Sequence, residues 1–383
     1  MSFPLPPRGT ALALLLAGLL AAPCAFAFPP ERRRQYEDRS PNEYLVVPAV
    51  ASLPGIGVFV GVISSVSNIA DSKIDAAAAV AESIDNTDIS LQALALREVP
   101  LWRPWLSLEY QYAHIRLGNF QTFLPGRDSP NFTIPITAEF DVQVVRPVLR
   151  LWERRVSLFY TLAFFDGFSF DENGNEYPVR RHSASTDLRL DFTDDVVNPR
   201  RGVRFHVGST LNAPRHTFLG RDRLGDANDP TESDVRVESY EVSGYLPVAE
   251  HAVLAADLIR FRAIGEEGSD RVIAGGSPPL RGYPAGRWSD RYGIFLGLEG
   301  RYTFPMFREI DVLLAHGLLE GIEAAAFYEV GQVSPREDNS LYRDMHHSYG
   351  MGARLVFEAI VLRLDLAFSD EGPQTHLTID QPF

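Results

Sequence analysis

Cysteine is almost missing from this chain: its 383 residues contain one, Cys24. That residue lies in an apolar N-terminal stretch, so everything after it is without disulfides, thiol catalysis or thiolate metal sites. Lysine is nearly missing too, Lys73 standing alone among the 36 basic residues. Arginine holds its charge and grips carboxylates with two parallel hydrogen bonds, which suits ion pairs inside a polar channel, although high-GC codon usage accounts for most of the bias. Positive charge is scarce overall, with a formal net charge of −14. Loss of Arg8 with a cleaved leader would take that to −15, which argues against nucleic acid as a partner. Also lacking, past the N-terminus, is any long stretch with helical periodicity. The segment from Leu45 to Val66 is apolar enough to pass for a membrane helix. Pro48, Pro54, Gly55 and Gly57 break it, so it reads as two strands joined at Leu53-Pro54-Gly55-Ile56.

What is present starts with a leader. Arg8 precedes an apolar run from Ala11 to Ala22, closed by Ala25-Phe26-Ala27. A short apolar core ending in a small-x-small site predicts a cleaved secretory signal over 1–27, cut after the pair Ala25 and Ala27. A lipoprotein signal on Cys24 is disfavoured by Pro23. Residues 28–43, rich in Pro, Arg, Glu and Asp, predict a short periplasmic tail unable to bury a core, and residues 44–383 remain as a single domain.

That domain alternates with period two. Leu362, Leu364, Leu366 and Phe368 oppose Arg363, Asp365, Ala367 and Ser369, and Ile294, Leu296, Leu298, Tyr302 and Phe304 oppose Glu299, Arg301 and Thr303. Thr186, Leu188, Leu190 and Phe192 likewise oppose Asp187, Arg189 and Asp191. Such segments are half-buried strands. The pattern predicts strands at 44–52, 56–66, 73–82, 88–98, 104–116, 136–150, 155–166, 181–193, 202–214, 233–247, 250–263, 291–304, 321–331, 346–357, 360–370 and 375–383. Their length exceeds that of strands in soluble sheets. Tight turns at Pro199-Arg200-Arg201-Gly202 and Leu246-Pro247-Val248-Ala249 alternate with long loops at 118–131, 167–180, 215–232 and 264–290. The chain also closes on an aromatic, Phe383, after Leu377 and Ile379. These features predict an all-β fold, a transmembrane antiparallel β-barrel of about sixteen strands in the bacterial outer membrane, surrounded by its lipids.

Four motifs then stand out. The first is Gly275-Gly276-Ser277-Pro278-Pro279-Leu280-Arg281-Gly282-Tyr283, between the eleventh and twelfth strands. The second is Asp191-Phe-Thr-Asp194-Asp195-Val-Val-Asn-Pro199-Arg-Arg-Gly202. The third is Phe327-Tyr-Glu329-Val-Gly331, and the fourth is Glu299 with Pro305. Together they resemble the BamA/TamA superfamily of outer-membrane assembly barrels, the bacterial surface antigen family. The resemblance covers the C-terminal half well and the N-terminal half by pattern. It implies that the loop between strands eleven and twelve folds into the lumen and braces the wall, with Arg281 paired to Glu299 and Glu329 as a structural lock. It implies a periplasmic turn at Asp191–Gly202 and a C-terminal assembly signal in Leu377, Ile379 and Phe383, read by the cell's barrel-assembly machinery. Three departures are visible: glutamate at 329 in place of aspartate, Gln381 and Pro382 before the last residue, and no sign of POTRA domains.

A guanidinium in a lumen is costly unless carboxylates on facing strands pair it. Gly282 is expected to allow a tight turn beside Arg281, and Tyr283 to give the loop an apolar body with a polar tip. Enzyme chemistry is not expected. His347 and Ser348 are neighbours that point to opposite faces of a strand, and Asp171–Glu176 lacks the spacing of a calcium loop. No cofactor or metal is expected either. The reading is a barrel for protein or lipid assembly or translocation through a seam between the first and last strands, with client proteins or a separate periplasmic protein as partners. The alternative is a structural barrel or passive pore plugged by Arg281.

Overall fold

The computed structural model describes residues 44–382 except 54–56, 73, 85–87, 103–104, 125, 130–132, 171–175, 213–215, 218–219, 222–234, 266–271, 277–278, 313, 358–360 and 380. The expected leader with Ala25 and Ala27, the tail and Phe383 lie outside those residues. Sixteen strands make one antiparallel sheet in chain order. They are β1 (Tyr44–Leu53), β2 (Gly57–Val66), β3 (Asp75–Ser83), β4 (Ile89–Trp102), β5 (Leu106–Phe123) and β6 (Thr133–Leu151). Next come β7 (Val156–Phe170), β8 (Glu176–Asp191), β9 (Gly202–Asn212), β10 (Val235–Ala249) and β11 (Ala252–Ile264). The last are β12 (Tyr292–Val312), β13 (Ala315–Ser334), β14 (His346–Phe357), β15 (Val361–Ser369) and β16 (Gly372–Ile379). The described residues otherwise hold short loop ribbons and two 3-10 turns, and no helix long and apolar enough to cross a membrane.

Hairpin parity sorts the connections. The shorter connections, which follow the even-numbered strands, share one rim with the start of β1 and the end of β16. The opposite rim carries the longer loops, including 124–132, 213–234, 265–291 and 335–345. The apolar segment from Leu45 to Val66 is a hairpin, paired from Tyr44↔Val66 to Leu53↔Gly57. Several expected boundaries shift. Expected loop residues near 118–123 and 167–170 belong to β5 and β7, and the turn placed at Leu246–Ala249 is strand, with Glu250 and His251 making the bend. The last strand runs Gly372–Ile379 instead of 375–383. Its hairpin is tighter than expected, and Gln381 leaves the ladder to bond Asn198 Oδ1 (2.8 Å) and Glu323 Oε1 (3.2 Å). Pro382 has no N–H to extend it.

The ladder closes where Tyr44↔His316 and Leu45↔Ala315 pair β1 with β13. Thirteen strands thus form a closed ring, and β14–β16 continue outside it. β16 comes within 8 Å of β1, Cα to Cα, yet among the described residues no ladder joins them.

One face of the sheet is a belt of exposed apolar side chains, among them Val62, Val80, Leu94, Leu158, Val207, Leu254, Leu298, Met351 and Leu364. A patch that wraps a barrel is the surface that lipid covers. Three of the four tryptophans, Trp102, Trp105 and Trp152, sit exposed on the short-turn rim, where an interfacial aromatic girdle would lie.

Candidate functional site

The loop at 265–291 leaves β11, forms a short ribbon in which Val272, Ile273 and Ala274 pair with Asp290, Ser289 and Trp288, and turns back against the inner wall. Gly275 and Gly276 take φ of 102° and 99°, a backbone state that only glycine adopts without strain. Leu280 holds φ of 70° and delivers the next residue inward. Gly282 sits in the expected tight turn beside Arg281, closed by the Tyr283 N–H donating to the Leu280 carbonyl at 3.2 Å, and it also permits a close approach. A Cβ there would lie 2.5 Å from the Phe368 carbonyl oxygen and 2.7 Å from Ser348 Cβ.

Arg281 is fully buried. Its Nε donates to Glu329 Oε1 at 2.7 Å and its backbone N–H to Glu329 Oε2 at 2.7 Å. Its Nη1 reaches Asp365 Oδ2 at 2.7 Å and Glu299 Oε2 at 3.2 Å. The guanidinium lies 3.4 Å from the centroid of Phe327. Sequence reading named Glu299, Phe327 and Glu329. It missed Asp365, although Asp365 stands on the polar face of an alternating strand, because no sequence spacing links β15 to a loop after β11. Glutamate at 329 does not shift the pair off register: its longer reach takes both Arg281 donors and the Ser348 hydroxyl (2.8 Å).

The array extends beyond the lock. Glu299 also binds Arg301 (2.7 Å) and Arg354 (2.8 Å), Arg354 lies 3.6 Å from Glu323, and Arg363 lies 3.2 Å from Asp365. Arg281, Arg301, Arg354 and Arg363 therefore face Glu299, Glu323, Glu329 and Asp365, all of them buried and balanced in charge. Removing such charges from water costs several kcal/mol each, roughly, and only mutual pairing offsets it. Every carboxylate here engages a guanidinium, so the array fixes position.

Further contacts fasten the loop to β14–β16. Tyr283, 2% exposed, donates its hydroxyl to Asp370 at 2.7 Å and packs edge-on against Trp288 at 4.3 Å. Burial, with the Asp370 bond, holds its phenol above the ordinary tyrosine range. Arg287 grips Glu371 (2.7 Å) and Ser129, Ser369 donates to the Gly282 carbonyl (2.6 Å), and His376 Nε2 lies 2.7 Å from the Arg281 carbonyl. Trp288 stacks on His346 at 3.6 Å. Gly331 lies on the inner wall, where a Cβ would meet the Phe295 ring at 2.2 Å. His347 faces outward to Tyr328, away from Ser348. Pro305, the fourth motif's second residue, sits at a bulge of the β12–β13 ladder.

The Asp191–Gly202 motif closes the other rim. Asp191 accepts from Thr193 N–H (3.0 Å) and pairs with Arg204 (3.0 Å), while Asp194 accepts from the Arg200 and Arg201 N–H groups, both at 3.0 Å. Asp195 caps Val197 N–H at 2.8 Å, Pro199 is buried and Gly202 holds φ of 115°. The turn reaches inward, and Val197 packs on Val356 and Val361 of β14 and β15. Leu377 lies on β16, which ends at Ile379, the residue paired with Leu362.

No family model matches the sequence, and no curated protein matches it. Solved structures do. CdiB from Escherichia coli matches with TM-score 0.59 at 13% identity, over 89% of this chain and 62% of that one. BamA from Haemophilus ducreyi lacking POTRA domains 1-3 matches with TM-score 0.52 at 11% identity, over 88% of this chain and 68% of that one. CdiB from Acinetobacter baumannii gives 0.53 at 12%, over 88% and 59%. The fold is similar to that of the BamA and CdiB barrels. At these identities the likeness is one of fold, and this chain spans about two thirds or less of the CdiB and BamA chains.

Proposed function

We propose that this protein is an outer-membrane barrel of the BamA/TamA type, sixteen-stranded, acting in the assembly or translocation of outer-membrane proteins or lipids. The observation that carries the reading is Arg281, buried against carboxylates of β12, β13 and β15 inside a BamA-like barrel. Its loop clamps the three strands that lie outside the closed ladder, beside a β1–β16 seam with no described backbone pairing. Parting that seam would uncover strand edges to which an extended client could pair. Outer-membrane lipids would surround the barrel, and a separate periplasmic protein would deliver the client.

Two measurements test this. Depletion in cells should change the outer-membrane protein or lipid profile, and an unchanged profile sinks the assembly reading. In planar bilayers the wild-type barrel should stay mostly closed and Arg281→Ala should conduct. Steady open wild-type pores would make it a passive pore.

A further inference from the structure

The β12–β13 hairpin is longer than its neighbours require. β13 stops pairing with β14 at Leu319↔Phe357, yet the hairpin continues through Val312 and Ala315. Ladder shifts at Pro305/Arg308 and Leu319/Gly321, with Phe307 at φ of 47°, bend this extension. Strands in a barrel tilt by roughly 35–45°, so a hairpin that overruns the rim sweeps beneath the strands beside it. It meets the start of β1. There Val46 N–H donates to the Leu314 carbonyl at 2.7 Å, and the Tyr44 hydroxyl donates to the Val312 carbonyl at 3.4 Å. Tyr44 also stacks on His316 at 5.8 Å.

The Val46 bond fixes which way the β1 edge points. Backbone donors alternate sides along a strand, so the N–H at 46 and the position at 48 face the seam together. Pro48 has no N–H to offer. An edge proline is a known means of blunting a strand against pairing. The seam-facing donor of β1 at Val46 is therefore taken by the hairpin, and the next one along the strand is missing.

We propose that the hairpin tip is a strap occupying the β1 edge in cis, which an extended partner strand must displace before it pairs with the short-turn end of β1. This rests on the seam reading given above. The test uses the full chain with Cys24→Ser and the pair Tyr44→Cys and His316→Cys, whose positions are registered neighbours with stacked, solvent-exposed side chains. A second variant, Val46→Pro, deletes the strap bond on the side where β1 already carries a proline. In purified barrels, Val46→Pro should lose hydrogen-exchange protection at Tyr44 while the β2–β13 ladders keep theirs; unchanged protection there overturns the strap. In depleted cells, the oxidised cysteine pair should fail to restore the outer-membrane profile and the reduced pair should restore it. Restoration by the oxidised form overturns displacement while leaving the seam reading intact. If depletion of the wild type changes nothing, the seam reading fails and displacement with it, whereas the exchange result still decides whether the strap fastens β1.

Discussion

The two halves of the barrel differ in how much of the inner face is apolar. Across β4–β7 the inner side chains include Ile89, Ala113, Ile115, Leu117, Ala138, Phe140, Ala163 and Phe165, one buried apolar cluster, with Arg97 and Arg150 paired to Glu109 on the same face nearer the short-turn rim. Across β12–β15 the same face carries the balanced arginine–carboxylate array. The outer faces explain the difference. Opposite the apolar cluster, β5 and β6 show polar groups outward, with Asp141 bound to Tyr112 (2.6 Å) and His114 (3.1 Å). These strands run 18 and 19 residues, against roughly 9–11 needed to cross a bilayer. Near the long-loop rim they turn polar side chains outward and apolar ones inward, like a soluble protein. Burial of that kind is non-directional and holds a wall. Ion pairs are directional and hold a loop at one place on a wall.

The sharpest way to break the comparison is to put the same charge on both walls. Ala113 is 1% exposed between Ala93 and Val142, so Ala113→Asp meets no cation and should cost about 5 kcal/mol. Ala325 is 7% exposed but lies across from Arg301, so Ala325→Asp should cost about 1–3 kcal/mol, the strain of added volume. Urea unfolding in detergent measures both. Equal losses would mean that the two walls do not differ in kind.

This division was only half legible in the sequence. Strand positions were, because alternation survives wherever one face is polar, as in Val361–Ser369. The arginine loop was, through its glycines and Arg281. In β3, Asp75–Ser83, both faces are alanine-rich, so the pattern could mark a strand but not which side is lumen. The partners Asp365, Arg354 and His376, the inward turn at 192–201 and the strap all depend on contacts between distant strands. No local spacing encodes those.

On the charged wall, Glu299 is the shared acceptor of Arg281, Arg301 and Arg354. Glu299→Gln leaves buried guanidiniums short of one negative charge and should cost about 3–4 kcal/mol. The loop should loosen with it. Trp288, 3% exposed, is the buried one of the four tryptophans, so a red shift of emission reports that release. An unshifted emission with full stability would show that the other carboxylates suffice.

The smallest effect belongs to the apolar wall and tests whether the halves are independent. Ile115 is 3% exposed inside the cluster, and Ile115→Val removes one methylene from it, for about 1 kcal/mol. Cluster and array share no residue, and Ile115 pairs with Leu91 and Phe140 rather than with any strand of the array. Losses at sites without shared partners add to within about 0.5 kcal/mol. Ile115→Val combined with Glu299→Gln should therefore lose the sum of the two single losses, and Trp288 emission should follow Glu299→Gln alone. A larger or smaller combined loss would mean that the loop senses the far wall through the ring. The arginine lock would then brace the whole barrel, and not only the strands beside the seam.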